Sequence, residues 1–220
     1  MTAEHHPAAI AIDGPAASGK STVGRALAHQ MGYSFLDTGL MYRAFALAAL
    51  RGGLPATEEA CAPFAHRLDM RLGTEPDAHI YLGEEDVTDL LHDPGIESHV
   101  SAYSSLPAVR EVLRAAQREF ATRGKAVLAG RDIGAVVLPD APLKIYLEAA
   151  EAARAQRRNA QRGIAAQEHA RHTHEALSRR DRLDSPQTFI APDAVVIDTT
   201  ALTVDEVIAR VFEKVQCPAN

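Results

Sequence analysis

The segment Ile10–Thr22 constrains the fold of this chain most, because a glycine-rich turn there joins a short apolar run to an amphipathic stretch. The turn reads Gly14-x4-Gly19-Lys20-Ser21, the spacing of the phosphate-binding P-loop between a strand and a helix. Glycines let the backbone curl so that successive N–H groups point at one anion, and the N-terminus of the next helix adds a partial positive charge. The pattern therefore predicts a nucleoside triphosphate site on an α/β fold.

Each residue type in this turn suits one part of a bound triphosphate. Lys20 brings a mobile positive charge to the β- and γ-phosphates, so we expect it to take part in catalysis. The hydroxyl of Ser21 is the expected protein ligand of a Mg²⁺ ion bound with ATP. The expected ATP-binding residues are Gly14, Pro15, Ala16, Ala17, Ser18, Gly19, Lys20, Ser21 and Thr22.

Length, charge and cysteine usage restrict the remaining possibilities. The 220 residues suffice for one α/β domain with small inserts. A formal net charge of −6 argues against sequence-independent binding to nucleic acid. The chain shows no apolar run long enough to span a bilayer and no secretory signal pattern, and Cys61 and Cys217 lack metal or redox spacing. We expect a cytoplasmic protein that binds neither nucleic acid nor membrane.

Apolar strand-like runs alternate with helical patterns along most of the chain, which predicts a parallel sheet with crossover helices. The predicted strands are Ala8–Ile12, Ser34–Leu36, Ala126–Ala129, Leu143–Leu147 and Ala194–Ile197. The predicted helices are Ser21–Met31, Gly39–Arg51, Pro107–Arg123, Glu151–Gly163, Ala166–Arg182 and Thr203–Val215. Thr203 and Glu206 have capping-box spacing at the start of the last helix. The expected architecture is the three-layer P-loop NTPase fold, a five-stranded parallel sheet flanked by helices.

The alternation breaks between residues 63 and 102, where short strand and turn patterns precede a short helix. We interpret this segment as a small insert on the sheet and not as a separate core. The predicted division is a P-loop core (1–62, 103–150 and 183–220), the insert (63–102) and an arginine-rich lid (151–182).

A first polar cluster, Asp37 to Arg43, follows the second predicted strand. Ligands of open α/β sheets bind beyond the carboxyl ends of the strands, so this turn is expected to border the P-loop pocket. Thr38 is the expected N-cap of the next helix. Tyr42 and Arg43 lie one turn further and could face a ligand, or could serve as ordinary packing and a surface charge.

A second cluster, Gly130-Arg131-Asp132, follows the third predicted strand directly. Arg131 could hold a phosphate through two parallel hydrogen bonds, and Asp132 could accept a hydrogen bond from an amino group. The alternative is a self-contained ion pair between these two neighbours.

A third cluster is a stripe of arginines in the predicted lid. Their spacing of i, i+3, i+4 and i+8 places them on one helix face: Arg154, Arg157, Arg158 and Arg162. Such a stripe opposite the P-loop could stabilise the charge on a phosphoryl group in transfer, or could be a solvated helix face. Further along, Arg180 and Asp184 are four residues apart and could also face inward.

Together these clusters resemble the bacterial cytidylate kinases, a branch of the P-loop nucleoside monophosphate kinases. The resemblance extends from Ile10 to Val215 in the family's order. It is carried by IDGPAASGKST, LDTGLMYRA, VSAYSSLPAVREVL, GRDIGAVVLPDAPLKIYL and SRRDRLD. The stretch that begins GRDIG is the most diagnostic, because other monophosphate kinases lack it, and the insert is also typical of this family.

The resemblance implies transfer of the γ-phosphoryl group of ATP to CMP or dCMP, with Mg²⁺, by a monomer. It implies that Arg157 and Arg158 close over ATP, and that Thr38 and Tyr42 line the acceptor pocket. The implied contacts are Ser101, Arg110 and Asp132 to cytosine, Arg43, Arg131 and Arg180 to the acceptor phosphate, and Asp184 to the ribose. The implied catalytic residues are Lys20, Arg131, Arg157 and Arg158.

Three positions depart from the family pattern, which has charged residues where this chain has Gln187, Ala129 and His92. The first removes one expected phosphate contact, and the second leaves Mg²⁺ to Ser21, the phosphates and Asp37.

Two other functions are compatible with the P-loop alone. One is another small-acceptor kinase of the adenylate, thymidylate or shikimate type, although such kinases are not expected to carry the GRDIG stretch. The other is a non-catalytic nucleotide sensor or a GTPase-like switch. The absence of an Asn-Lys-x-Asp motif disfavours the switch, and the arginine stripe disfavours a passive sensor.

Overall fold

The computed structural model of the protein describes residues 7–161, 178–179 and 181–216. Arg162, Arg180 and Cys217 lie outside the described residues. Eight strands are described: β1 (Ala9–Asp13), β2 (Ser34–Asp37), β3 (Met70–Leu72), β4 (Ile80–Leu82), β5 (Glu85–Asp86), β6 (Ala126–Gly130), β7 (Leu143–Glu148) and β8 (Val195–Asp198).

The central sheet is parallel and five-stranded, in the order β2-β6-β1-β7-β8. This confirms the predicted sheet, and each of its strands begins and ends within one residue of its prediction. The apolar runs of β1, β6 and β7, in the middle of this sheet, are buried almost throughout, as expected for a sheet that carries helices on both faces.

Seven helices have bounds within the described residues: α1 (Lys20–Met31), α2 (Thr38–Arg51), α3 (Glu58–Ala65), α4 (Pro94–Ser104), α5 (Pro107–Thr122), α6 (Glu151–Gln161) and α7 (Val204–Gln216). Residues 178–179 and 181–184 are also helical, and the rest of the predicted helix Ala166–Arg182 lies outside the described residues. The capping box of α7 is present, because Thr203 N donates to Glu206 Oε2 at 2.7 Å and Glu206 N donates to Thr203 Oγ1 at 3.3 Å. The sequence patterns missed α3, which contains Pro63, since an internal proline is typical of a helix end.

One apolar core lies on each face of the central sheet, between the sheet and the helices that cover it. Alternate residues of β1 point to opposite faces, so Ile10 and Ile12 pack with α1 and α7, while Ala11 packs with α2 and α5 on the other side. The insert shares this second core through Ile80, Val87 and Leu91.

The insert also covers an edge of the central sheet. Its strands β3, β4 and β5 form a small antiparallel sheet. The loop between β3 and β4 hydrogen-bonds to β2, since Phe35 N donates to Pro76 O at 2.6 Å and Ala78 N donates to Phe35 O at 2.9 Å. These bonds satisfy backbone groups that an edge strand would otherwise leave unpaired.

The register of the central strands decides where the polar clusters meet. Asp13 at the end of β1 pairs with Gly130 of β6, and Asp37 at the end of β2 pairs with Ala129. The loops that follow these strands therefore leave the sheet at the same edge, as the sequence predicted. In the part of the chain that the structure describes, no helix is long and apolar enough to cross a bilayer.

Candidate active site

The glycine-rich turn lies between β1 and α1, in the context that a P-loop requires. Gly14 has φ +150°, and a Cβ there would lie 2.1 Å from the carbonyl oxygen of Leu147. Gly19 has φ +101°, also in a region that side chains disfavour. Lys20 Nζ donates to Pro15 O at 2.7 Å, so its ammonium lies over the turn.

A side-chain oxygen from the first turn of α1 contacts a side-chain oxygen at the end of β2. Ser21 Oγ donates to Asp37 Oδ2 at 2.5 Å. A hydroxyl and a carboxylate at this separation are hard oxygen donors of the kind that Mg²⁺ takes in proteins, so the residues present fit the expected ion.

Asp37, and not Thr38, is the N-cap of α2. The Asp37 side chain accepts from Gly39 N at 3.0 Å, while Thr38 is the first helical residue. The expectation that Thr38 caps this helix is wrong, because its hydroxyl instead donates to Ala129 O on β6 at 2.9 Å. Thr38 therefore joins α2 to the strand that leads into the Arg131 turn.

Asp13 joins the P-loop to the turn after β6, and no sequence pattern singled it out. Its side chain is 4% exposed, and its two oxygens accept from Ile133 N at 2.8 Å and Gly134 N at 2.7 Å. Burial raises the pKa of Asp13 to about 6, although the two backbone hydrogen bonds oppose this rise. Its position directly before Gly14 was the available signal.

Asp132 and Arg131 do not pair with each other, so the alternative of a self-contained turn pair is wrong. Asp132 Oδ2 accepts from Arg110 Nη2 at 2.7 Å and from Arg114 Nη2 at 2.6 Å. Arg110 also lies over the ring of Tyr42, 5.4 Å from its centroid. Tyr42, Arg110 and Asp132 thus lie together, and Arg114 is a fourth member that neither the motifs nor the resemblance named.

Arg131 binds a carboxylate from the far end of the chain. Its Nη2 donates to Asp184 Oδ2 at 2.7 Å, and its Nη1 lies 3.5 Å from Asp181 Oδ1. Ser101 Oγ donates to the other oxygen of Asp184 at 3.0 Å. Ser101, Arg131 and Asp184 therefore meet at one point, although they come from three different regions of the sequence.

The arginine stripe of α6 faces the P-loop, which excludes the alternative of a solvated helix face for the arginines described. Arg154 is buried; its Nη1 donates to Ala16 O at 3.1 Å and to Asp181 Oδ2 at 2.5 Å. Arg157 Nη1 lies 3.4 Å from Ser18 O. Arg157 also donates to the hydroxyl of Thr199 after β8, at 2.9 Å.

Glu97 on α4 connects the insert to α2 and to α6. Its Oε1 accepts from Arg158 Nη2 and lies 3.7 Å from Arg43 Nη2. Arg43 also donates to Leu91 O at 3.0 Å. The Glu97 side chain is only 13% exposed. Arg43 and Arg158, both expected at phosphates, are thus held near one carboxylate.

Comparison with known proteins shows which family the chain matches. Residues 10–217 match the family model of cytidylate kinase. A cytidylate kinase of Mycolicibacterium paratuberculosis is 45% identical over 94% of each chain, and one of Geobacillus thermodenitrificans is 42% identical over 93% of this chain and 94% of that one. A gluconokinase structure from Sinorhizobium meliloti 1021 covers 96% of this chain and 92% of its own, with a TM-score of 0.50 and 18% identity, which shows the fold alone.

Proposed function

The chain belongs to the cytidylate kinase family, and from this premise we propose how its residues divide the phosphorylation of CMP and dCMP. It is an ATP-dependent nucleoside monophosphate kinase that transfers the γ-phosphoryl group of ATP to CMP or dCMP. No finding favours an adenylate, thymidylate or shikimate kinase, or a nucleotide sensor.

The donor nucleotide is assigned to the P-loop. Its backbone N–H groups and Lys20 bind the β- and γ-phosphates, and the N-terminus of α1 adds its partial positive charge. P-loop kinases use Mg²⁺ with ATP, and we assign this ion to Ser21, with Asp37 beside it at 2.5 Å. When bound, Mg²⁺ would offset the negative charge of the β- and γ-phosphates.

The acceptor nucleotide is assigned to the clusters after β2 and β6. Arg43 and Arg131 would bind its phosphate, together with Arg180, which lies outside the described residues. Asp184 would bind the ribose, and Thr38 and Tyr42 would line the pocket. Ser101, Arg110 and Asp132 would contact cytosine, since a carboxylate accepts from the exocyclic amino group and a guanidinium donates to the ring acceptors.

The chemistry needs no general base. A phosphate monoester is largely a dianion near neutral pH, because its second pKa is about 6, so the acceptor oxygen attacks without losing a proton. The difficulty is the repulsion between two polyanions, which positive charge and alignment must overcome. Lys20, Arg131, Arg157 and Arg158 would supply that charge, and closure of the lid and the insert would exclude water that could otherwise hydrolyse ATP.

The observation that carries the proposal is the convergence of distant arginines on the P-loop edge of the sheet. Arg154 and Arg157 contact carbonyl groups of the P-loop itself. Arg131 is held beside the same edge, since Asp13 anchors the backbone that follows it. Positive charge thus lies on both sides of the place where the γ-phosphate of ATP would meet the phosphate of CMP.

A coupled ADP-release assay with five monophosphates (CMP, dCMP, UMP, AMP and GMP) tests the proposal. We expect turnover with CMP and dCMP, at least about tenfold lower kcat/KM with UMP, and little with the purines. Asp132→Asn should reduce kcat/KM for CMP more than for UMP and leave the KM for ATP unchanged. Equal turnover of all five acceptors, or ADP release that needs no acceptor, would contradict the assignment.

The monomeric state, which the family resemblance implies, and the cytoplasmic location, which the sequence suggests, remain predictions. Size-exclusion chromatography with light scattering tests the first, and an elution mass of twice the chain mass would refute it.

A further inference from the structure

Arg110 and Arg114 share one oxygen of Asp132. The Nη2 atoms of the two arginines lie 2.7 Å and 2.6 Å from Asp132 Oδ2. Both arginines belong to α5 and are four residues apart, so their side chains project from one face. Neither the motifs nor the family resemblance gives a role to Arg114.

The charges of this trio do not balance. The side chains of Arg110, Arg114 and Asp132 are 10%, 23% and 6% exposed, so all three are mainly removed from water. One guanidinium already balances the carboxylate, and a second adds a further positive charge and a further desolvation cost. The Nε of Arg114 is also buried without a hydrogen-bond partner among the described residues. Arg114 thus brings a second guanidinium, with an unpartnered Nε, to a carboxylate that Arg110 already pairs.

The remaining hydrogen-bonding capacity of Asp132 fits a ligand. Both arginine bonds go to Oδ2, and Oδ1 accepts no hydrogen bond from any residue in the described ranges. Arg110 is held in place by Ser104 O, to which its Nη1 donates at 3.1 Å, and by the ring of Tyr42. Arg114 and Arg110 also line, with Gln187, a cavity of about 460 Å³ beside the N-terminal half of α5.

We propose that Arg114 is a positioning residue for cytosine recognition, which keeps Asp132 paired and oriented while Arg110 gives N–H groups to the base. The proposal rests on the assignment of Arg110 and Asp132 to cytosine. If Arg110 were the only partner of Asp132, its contacts with the base would weaken this buried ion pair. The Asp132 carboxylate would then lack a full countercharge. With Arg114 on Oδ2, Asp132 keeps a countercharge and presents Oδ1 to the amino group.

This arrangement also bears on the choice between cytosine and uracil. Cytosine carries an amino donor where uracil carries a carbonyl acceptor, and a fixed carboxylate oxygen binds the first and repels the second. A site built around a specific hydrogen bond rejects an analogue that lacks the donor, because the buried group is then left unpaired. Loss of Arg114 should therefore affect discrimination and not only affinity.

The test compares Arg114→Met with a matched control at the C-cap of the same helix, Arg123→Met. Arg123 is half-exposed and donates to Leu72 O at 3.2 Å, away from Asp132. For Arg114→Met we expect the KM for CMP to rise about tenfold, with kcat within about threefold of the original. The ratio of kcat/KM for CMP to that for UMP should fall about tenfold, and the KM for ATP should not change. The control should change none of these values by more than about twofold.

Two further variants separate positioning from a general structural effect. Because Arg114 acts through Asp132, Arg114→Met should cause no further loss of the CMP:UMP ratio when added to Asp132→Asn. Arg114→Lys keeps a donor and a charge, so it should recover part of the ratio. If Arg114→Met fails to fold, Arg114→Gln replaces it and the same ratio is measured.

The outcomes distinguish this inference from the assignment on which it depends. An unchanged CMP:UMP ratio in the Arg114 variant, or an equal loss of kcat for both nucleotides, overturns the positioning role. An additive loss in the double variant also overturns it. If the unaltered protein itself shows no preference for CMP over UMP, it is the assignment of Asp132 and Arg110 that fails.

Discussion

Replacement of Asp13 by asparagine tests whether this buried carboxyl connects the P-loop to the Arg131 turn. The pKa of Asp13 rises from 3.8 to about 6, chiefly because the group is buried. The folded protein therefore binds this proton more tightly than the unfolded chain does. Its stabilising contribution is fully present below the unfolded pKa near 3.8 and is lost as the pH rises through about 6.

The size of the effect follows from the same two values. One pKa unit corresponds to about 1.4 kcal/mol, so the ionised carboxyl costs about 3 kcal/mol at neutral pH relative to its protonated form. As the pH falls from about 8 to about 4.5, the linkage relation predicts that this group adds about 2 kcal/mol to the free energy of unfolding. Asparagine does not titrate, so the variant lacks this contribution.

Asparagine also changes the hydrogen bonding. It keeps one oxygen for Ile133 N or Gly134 N but turns its NH₂ group toward the other, and a buried donor without a partner costs about 1–3 kcal/mol. At about pH 8 the lost hydrogen bond destabilises the variant, whereas removal of the buried charge stabilises it. We therefore expect the free energies of unfolding of the two proteins to differ by less than about 2 kcal/mol at this pH. Since the Arg131 turn loses an anchor, kcat/KM for CMP should fall at least about tenfold.

The assay is urea unfolding of Asp13→Asn and of the unaltered protein at several pH values between about 4.5 and 8. Other groups titrate alike in both proteins, so the difference in the free energy of unfolding isolates Asp13. We expect this difference to change by about 2 kcal/mol in favour of the unaltered protein as the pH falls. A difference that stays flat across this range would refute the account of Asp13.

Three other changes test separate parts of the molecule. Lys20→Ala should lower kcat by at least about a hundredfold and leave the free energy of unfolding within about 1 kcal/mol, and full turnover would disprove the role of Lys20. Ser21→Ala should raise the Mg²⁺ concentration for half-maximal activity about tenfold, measured in a Mg²⁺ titration, whereas an unchanged requirement would place the ion elsewhere. Phe45→Ala should lower the free energy of unfolding in urea by about 3–5 kcal/mol, because this buried ring contacts Phe64 and Tyr103 edge to face; a loss below about 1 kcal/mol would count against that packing.

Local patterns located the elements of the fold closely, with one exception. Strands were correct to within one residue because a parallel sheet buried on both faces requires continuous apolar runs, which the sequence shows directly. The helix Glu58–Ala65 was missed because its proline is typical of a helix end, although packing against α5 retains the helix. Thr38 was taken for the N-cap, since threonine and aspartate both cap helices and their local sequence does not choose between them.

The sequence by itself determined the P-loop, the parallel sheet and the residue types that gather at the carboxyl edge of that sheet, because these follow from short-range spacing and apolar periodicity. Only the tertiary structure decided which charges pair: Arg131 with Asp184, Arg110 and Arg114 with Asp132, and Arg43 and Arg158 around Glu97. These partners are separated by 18 to 61 residues, and any arginine could pair with any carboxylate as far as the sequence shows. The register of the strands and the packing of the insert and of α6 fix the choice, since the strength of an ion pair depends on distance and burial and not on sequence order.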